Sequence, residues 1–534
     1  MKHLFAETAV VCAVASLALM GCNGGDDETP VPLTVPKATC GPNDRPESGL
    51  QGQVPAALRA SGFQGFSCNL QLIGQSKGDG ANWQTTQFKD RAGHVCAYHG
   101  TAFTTAGRTH VGVPVIDITQ RSTPTPTAYL TTTSLLDPWE SLKVNERRQL
   151  LAGVNAHNGG LQKDNGTNGG GGPEIDVYDL ANDCRQPQLI ASVPIGLPGG
   201  GGAVADPELI GHEGAWAPDG LTYYGSDLVS ARYYAIDMAD QTHPTLVSTF
   251  RNPFARNVQP LPNLVIDGTV HGLSVSDDGN RAYFVSLGPG NPDPAVTPNN
   301  GLLIVDTSEI QARKPNPQMK LISSLFWKDG GTAQHTINVK IGGKPYIIFV
   351  DEAGSGGNNP NGWLAACGAN LPAWPFARII DISDETAPKI VSRLMLEIHD
   401  PANCSKVLPD LAGLSSFTYG SHYCSVDNRA EATTLACGYF NSGIRVFDIR
   451  DPVRPKEIAY YNPAGTTTAS PGSNHVRAGG WVAGGPDWCS AQVHLDAASG
   501  SLWTTCQDNG ALVLQFTNGV WPFPTSATPP GQQN

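Results

Sequence analysis

The chain has 534 residues, a net charge of −13, 61 Gly and 42 Pro, and only 15% charged residues. Its acidity, with no basic stripe to offset it, argues against a nucleic-acid partner. The Gly and Pro content argues against helical bundles, where both residues are costly, and suits many short strands joined by turns.

The first segment reads as an export signal. Lys2 and His3 form a basic start, Ala9 to Met20 is an apolar run, and Leu19-Met20-Gly21-Cys22 follows. The run is too short to span a bilayer as a mature helix. A small residue before Cys at the end of such a run resembles the bacterial lipobox, with Cys22 as the lipidated residue; ordinary signal-peptide cleavage is the alternative. Asn23 after the Cys favours the outer membrane. The expected location is therefore the cell envelope, with the membrane as partner through the lipid anchor. No later segment is apolar enough for a membrane helix. Residues from Asn23 to about Pro36 are rich in Gly, Asp, Glu and Pro and read as a solvated tether.

From there one pattern recurs. A spare β run, Cys68 to Gly74, precedes the first copy. Trp83-Gln84 leads to Val113-Pro-Val-Ile-Asp117, and Trp139-Glu140 leads to Ile175-Asp-Val-Tyr-Asp179. His212 opens a copy running through Tyr234-Ala-Ile-Asp237 to Phe250, and His271 opens the clearest one, through Ala282-Tyr-Phe-Val285 and Leu302-Leu-Ile-Val-Asp306 to Phe326. His335 and His422 open two more, and a last copy runs from Ser490 to Phe516 without a fourth strand. Four short strands per unit, repeated radially, predict an all-β fold: a seven-bladed β-propeller of four-stranded blades. The spare run supplies the missing strand, so an N-terminal strand closes the ring and removes its edges. The expected organisation is a lipoprotein-type signal over 1–21, a tether and N-terminal extension over 22–66, the propeller over 67–520 and a disordered tail over 521–534.

Of 12 Cys, Cys12 lies in the signal and Cys22 is the proposed anchor, which leaves an even number for disulfides in an oxidising compartment. Cys424 and Cys437 fall on neighbouring strands of one blade, as do Cys489 and Cys506, and both pairs are within expected bridging range. Cys367 and Cys404 lie in or beside insertions of the fifth blade and are a third pair. Cys40, Cys68, Cys96 and Cys184 remain, with three connectivities open. No CxxC occurs, which argues against a thiolate zinc site.

The runs Leu302-Leu-Ile-Val-Asp306, Ile379-Ile-Asp-Ile-Ser383 and Val446-Phe-Asp-Ile-Arg450, with Asp451-Pro-Val-Arg-Pro455 as the cleanest following turn, resemble the LVIVD-repeat family over roughly residues 69 to 520. The resemblance implies the propeller and no particular activity. The Asp that ends each run is expected to tie a turn by local hydrogen bonds.

The first strand of a propeller blade lines the central channel. His212, His271, His335 and His422 take one register in four consecutive blades, with Glu140 and Gln84 in two others and Ala491 or Gln492 in the last. Converging imidazoles and a carboxylate without thiolate suit a transition metal, copper or zinc, and a single ion can draw on only a few adjacent blades, such as His271, His335 and His422. The bland reading is that each His bonds a neighbouring blade and fixes its tilt. The seven-bladed methanethiol oxidases (selenium-binding proteins) are similar in architecture and hold copper with histidines, but no longer motif of theirs matches here. Gly169 to Gly172 and Gly199 to Gly202 lack the ending of a phosphate cradle. Ser355 lacks a nucleophile-elbow context, and His494 reads as a packing residue. Two functions follow. One is an envelope binding or scaffolding module that presents loops to a protein, glycan or small molecule. The other is a metal-dependent oxidoreductase or hydrolase with a His-lined channel.

Overall fold

The structure, a computed structural model, describes residues 33–102, 107–156, 175–195, 211–228, 230–256, 268–288, 290–476 and 478–523. The signal, Cys22 and both Gly runs lie outside these residues, as does the chain from 524 onward. Among the described residues no helix is long and apolar enough to cross a membrane.

Seven antiparallel sheets form the ring. Blade 1 comprises Thr85–Lys89, Val95–His99, Val113–Asp117 and Thr125–Leu130, and blade 2 Lys143–Asn145, Leu150–Val154, Ile175–Asp179 and Gln188–Val193. Blade 3 runs from Gly214–Trp216 to Thr245–Arg251, blade 4 from Leu273–Val275 to Lys320–Phe326, and blade 5 from Gly331–Ile341 to Lys389–Arg393. Blade 6 spans Cys424–Val426 to Lys456–Asn462. Blade 7 takes His494–Asp496, Ser501–Cys506 and Gly510–Phe516 from the C-terminal part of the chain.

The β-branched third strands are buried on both faces, because each blade packs between two others. Tyr233 of blade 3 stacks on Phe284 of blade 4 with ring centres 3.8 Å apart. The aspartates that end these strands behave as expected. Asp117, Asp179, Asp237, Asp306, Asp381 and Asp448 each accept the backbone N–H two residues on. Every blade also slips register by one residue between its third and outermost strands. Such bulges increase the local twist that a propeller blade needs.

The ring closes as the spare run suggested, two residues later: Leu70–Ser76 pairs with Gly510–Phe516. Cys68 itself belongs to a separate strand, Phe66–Cys68, which adds a fifth strand to blade 6. Structure begins earlier than the tether reading allowed, since the Val35 N–H already bonds the Met395 carbonyl and its side chain is buried. It also runs past 520, where Trp521 packs on Phe516 and the Arg450 guanidinium covers the Phe523 ring. The three anticipated disulfides, Cys424–Cys437, Cys489–Cys506 and Cys367–Cys404, are present. The open connectivity resolves as Cys40–Cys68 and Cys96–Cys184. Five disulfides point to an exported protein.

Candidate metal centre

The blades can be aligned on the second-strand residue that faces each terminal aspartate, Arg281 opposite Asp306 in blade 4 and Thr434 opposite Asp448 in blade 6. In that frame the position of His271 is held by Glu140, His212 and His422, as anticipated. Two assignments change. In blade 5 a bulge between Ala333 and His335 shifts the strand, so Gln334 takes the ring position and His335 sits one place further. In blade 1 the ring residue is Trp83, and Gln84 occupies the next layer. That layer holds Gln84, Ser141, Glu213, Gly272, His335, Tyr423 and Gln492.

Glu140 is the centre of the first layer. Its Oε2 lies 3.5 Å from Nε2 of both His212 and His271, and those two nitrogens are 2.8 Å apart. Its Oε1 lies 3.4 Å from His422 Nε2 and 3.2 Å from Gln334 Nε2. All of these side chains are at most 5% exposed. Glu352, reaching in from the second strand of blade 5, places Oε2 3.2 Å from His422 Nε2.

The rings are fixed from behind. His271 Nδ1 faces the Gln334 carbonyl at 2.9 Å and Glu213 Oε2 at 3.4 Å, and His422 Nδ1 faces the Ser490 carbonyl at 2.8 Å. Nδ1–H donation to a carbonyl leaves Nε2 of each imidazole aimed at the axis, the arrangement that supports metal-ligating histidines. Gly272 is needed here because a Cβ would lie 2.1 Å from Glu213 Oε2 and 2.4 Å from the Gln334 carbonyl oxygen.

The cluster is strongly polarised. Burial opposes charge on Glu140, yet the imidazoles of His271, His212 and His422 hold its pKa well below the usual carboxylate range. Burial also opposes charge on His271, but Glu140, Glu213 and Glu352 push its pKa up to about 9. His422, against the same burial, is raised to about 10 by Glu140 and Glu352. His212 is lowered by burial and by the neighbouring His271. His335 takes no part: burial and the nearby Lys143 hold it well below its ordinary value, it stacks on Tyr423, and its Nε2 accepts from the Cys424 N–H at 3.4 Å. The anticipated trio His271, His335 and His422 is therefore not assembled. The compact donor set is Glu140, His212 and His271.

An ion bound at 2.0–2.2 Å by nitrogen and oxygen holds neighbouring ligand atoms about 2.9 Å apart at a right angle and about 3.4 Å apart at the tetrahedral angle. The 2.8 and 3.5 Å separations match those edges. Glu140 Oε2 accepts no hydrogen bond from any described residue, although it is buried between two imidazole nitrogens. A buried carboxylate oxygen that stops short of hydrogen-bond contact with two converging imidazole nitrogens is placed where a cation would draw all three together.

The two ends of the channel differ. Trp83, Trp139, Phe417, Phe440 and Trp488 pack together where the inner strands begin, with Trp83 and Phe440 against His422 and Trp139 against His212. Over the opposite end lies a cavity of about 500 Å³, lined by Lys143, Glu213, His335, Thr336, Tyr423 and Gln492 among others. Lys143 Nζ stands 3.8 Å from Glu213 Oε1 and 3.2 Å from Gln84 Oε1, and burial lowers its pKa. His494 stacks on Trp503, as a packing residue does. The Ser355 hydroxyl is buried and has no described histidine or carboxylate partner. Sequence reasoning missed Glu213, Gln334, Glu352 and Lys143. Only Glu213 carried a visible signal, its place beside His212.

No family model matches the chain, so the LVIVD resemblance rests on the quoted residues alone. No curated protein matches either. Among solved structures, a proposed 6-phosphogluconolactonase from Bacteroides uniformis aligns at 12% identity over 78% of this chain and 94% of its own, with a TM-score of 0.45. A second, from Bacteroides fragilis, aligns at 9% identity over 78% and 93%, with a TM-score of 0.44. The β-propeller domain of Cps50 (Swd1) from Myceliophteria thermophila aligns at 8% identity over 84% and 100%, with a TM-score of 0.45. At these values the likenesses bear on neither family nor activity, and the fold rests on the sheet pairings above.

Proposed function

We propose that this protein is an exported metal-dependent enzyme whose ion sits on the propeller axis between Glu140, His212 and His271. The observation that carries the reading is the buried Glu140 Oε2, without a close hydrogen bond, held 3.5 Å from two imidazole Nε2 atoms that are themselves 2.8 Å apart. A nitrogen and oxygen donor set without thiolate suits a borderline divalent ion such as zinc or copper. Such an ion supplies Lewis acidity or an activated water, or with copper a redox centre. The protein's own groups do the rest. Glu213 braces His271 from the cavity side, Lys143 offers a cation beside it, and the aromatic cluster closes the far end to water. A substrate small and polar enough for the 500 Å³ cavity is the class that fits.

The test is elemental analysis of the mature protein purified without chelators, beside a His212→Ala/His271→Ala variant. Near-stoichiometric zinc or copper, lost in the variant, supports the reading; no metal in the wild type overturns it. Zinc then points to a hydrolase and copper to an oxidoreductase. Anchoring through Cys22 at the outer membrane belongs to the same proposal on its sequence motif, and acyl-chain mass at Cys22 tests it.

A second reading, an envelope binding or scaffolding module, draws on a separate polar groove. This groove, of about 660 Å³, is lined by the Arg281–Glu385 and Arg429–Asp277 pairs. It predicts that envelope function survives the His212→Ala/His271→Ala change.

A further inference from the structure

The floor of the cavity over the axial site is short of negative charge. Lys143 Nζ donates to Gln84 Oε1 at 3.2 Å and reaches Glu213 Oε1 only at 3.8 Å. Glu213 is itself shared, because its Oε2 lies 3.4 Å from His271 Nδ1. One carboxylate therefore answers two cations. Burial opposes the charge on Lys143, so the lack of a close counter-ion is costly there. The neighbouring groups add donors rather than acceptors. His335 Nε2 accepts from the Cys424 N–H at 3.4 Å, which puts the imidazole proton on Nδ1, where no described residue accepts it. The Tyr423 hydroxyl, on the ring that the Lys143 ammonium covers at 5.6 Å, closes no hydrogen bond with any described residue either. Elsewhere on the lining Glu146 offsets Arg147 in sign and Arg429 is paired with Asp277 at 3.0 Å, so the imbalance is at Lys143.

An ion in the axial site sharpens that imbalance. In the stripped protein at pH 7, the carboxylates of Glu140, Glu213 and Glu352 are matched by His271, His422 and Lys143. Imidazoles ligate a metal in their neutral form. A divalent ion between His212 and His271 thus brings two positive charges and expels one, the His271 proton. The cluster ends one charge positive beside a cavity of about 500 Å³, and the Lys143 side chain that lines this cavity is 20% exposed.

We infer that the substrate is a small carboxylate, with its anionic group seated on Lys143 and its body in the cavity beside Trp216, Thr336 and Gln492. A monoanion closes the charge count, whereas a phosphate dianion overshoots it. The inference rests on the axial metal reading and makes the two bindings reciprocal. The ion strengthens the carboxylate, and the carboxylate strengthens the ion by the same factor.

The experiment loads the full-length protein with Zn(II), counts the bound ion by elemental analysis, and titrates the protein with benzoate, benzamide and inorganic phosphate in a calorimeter. Chelator-stripped protein is titrated in parallel. The loaded wild type is expected to bind benzoate roughly ten-fold or more tightly than benzamide, and Lys143→Met to erase that preference. The stripped protein is expected to bind benzoate more weakly than the loaded one. A loaded protein that does not prefer benzoate to benzamide, that binds phosphate more tightly, or whose benzoate affinity survives Lys143→Met overturns the inference and leaves the metal site. A protein that takes up no zinc overturns the axial reading and this inference with it. The benzoate and benzamide comparison uses only the wild type, so a Lys143→Met chain that fails to fold does not remove the test.

Discussion

Replacing Glu140 by Gln removes the one charge that faces three buried imidazoles. In the metal-free protein at pH 7, His271 and His422, with pKa values near 9 and 10, are both cations, and Glu140 is their shared counter-ion. Removing one partner of a buried ion pair costs about 3–5 kcal/mol, because the remaining charge stays out of water. At roughly 2.1 cal/mol/K per residue, a ring of this size unfolds with an entropy near 1 kcal/mol/K, so the melting temperature falls by about 3–5 °C. Bound metal adds the complementary half. Free ion at about 1,000 times its Kd stabilises the wild type by about 4.1 kcal/mol, and a variant without the carboxylate gains little. Scanning calorimetry at pH 7, with chelator and with Zn(II), measures both effects. A Glu140→Gln protein that melts within a degree of wild type in chelator, and gains as much from zinc, refutes the electrostatic account of the channel.

Three more expectations concern the same frame. Burial holds His399 neutral down to about pH 3 and His99 down to about pH 4, whereas both would protonate near 6.5 in the unfolded chain. The unfolded state therefore binds more protons between pH 6.5 and 4. Stability falls on acidification by about 1.4 kcal/mol per pH unit per histidine, and His399→Asn flattens that slope in urea titrations. Cys40→Ala/Cys68→Ala opens a loop of 28 residues and costs about 3–4 kcal/mol in reversible urea unfolding; a loss below about 1 kcal/mol contradicts it. Gly272→Ala drives a Cβ into Glu213 and the Gln334 carbonyl, so it costs about 1–3 kcal/mol and lowers metal occupancy measured by elemental analysis.

The blades were legible because six of the seven carry the same local physics: an apolar third strand that ends in an aspartate, which accepts the N–H two residues on. His212, His271, His422 and Glu140 were legible as one register because their strands begin without irregularity. Blade 5 was not. Its inner strand extends over Gly331–Ile341, and an extra residue at Gln334 displaces His335 into the next layer. Two adjacent polar residues, Gln334 and His335, give no hint of which one faces the axis, since a one-residue slip exchanges the faces of a strand. Glu352 was hidden for a related reason, coming from a second strand that reaches the axis only because that hairpin is long. In blade 1, Trp83 and Gln84 exchanged roles by the same single step.

The closure of the ring sets an order of events in folding. Leu70–Ser76 is made near the start of the chain, yet its partner Gly510–Phe516 is nearly the last strand to be made. Ala38 bonds Glu457 across 419 residues of sequence. A chain that emerges N-terminus first must keep this segment unpaired until the seventh blade exists, and contacts so distant in sequence form slowly. Once Gly510–Phe516 is made, and until Leu70–Ser76 pairs with it, that strand is a bare sheet edge open to pairing with another molecule. A circular permutant that moves Leu70–Ser76 behind Phe516 turns the last step into a local hairpin, and such a chain would fold faster and aggregate less at the same final stability.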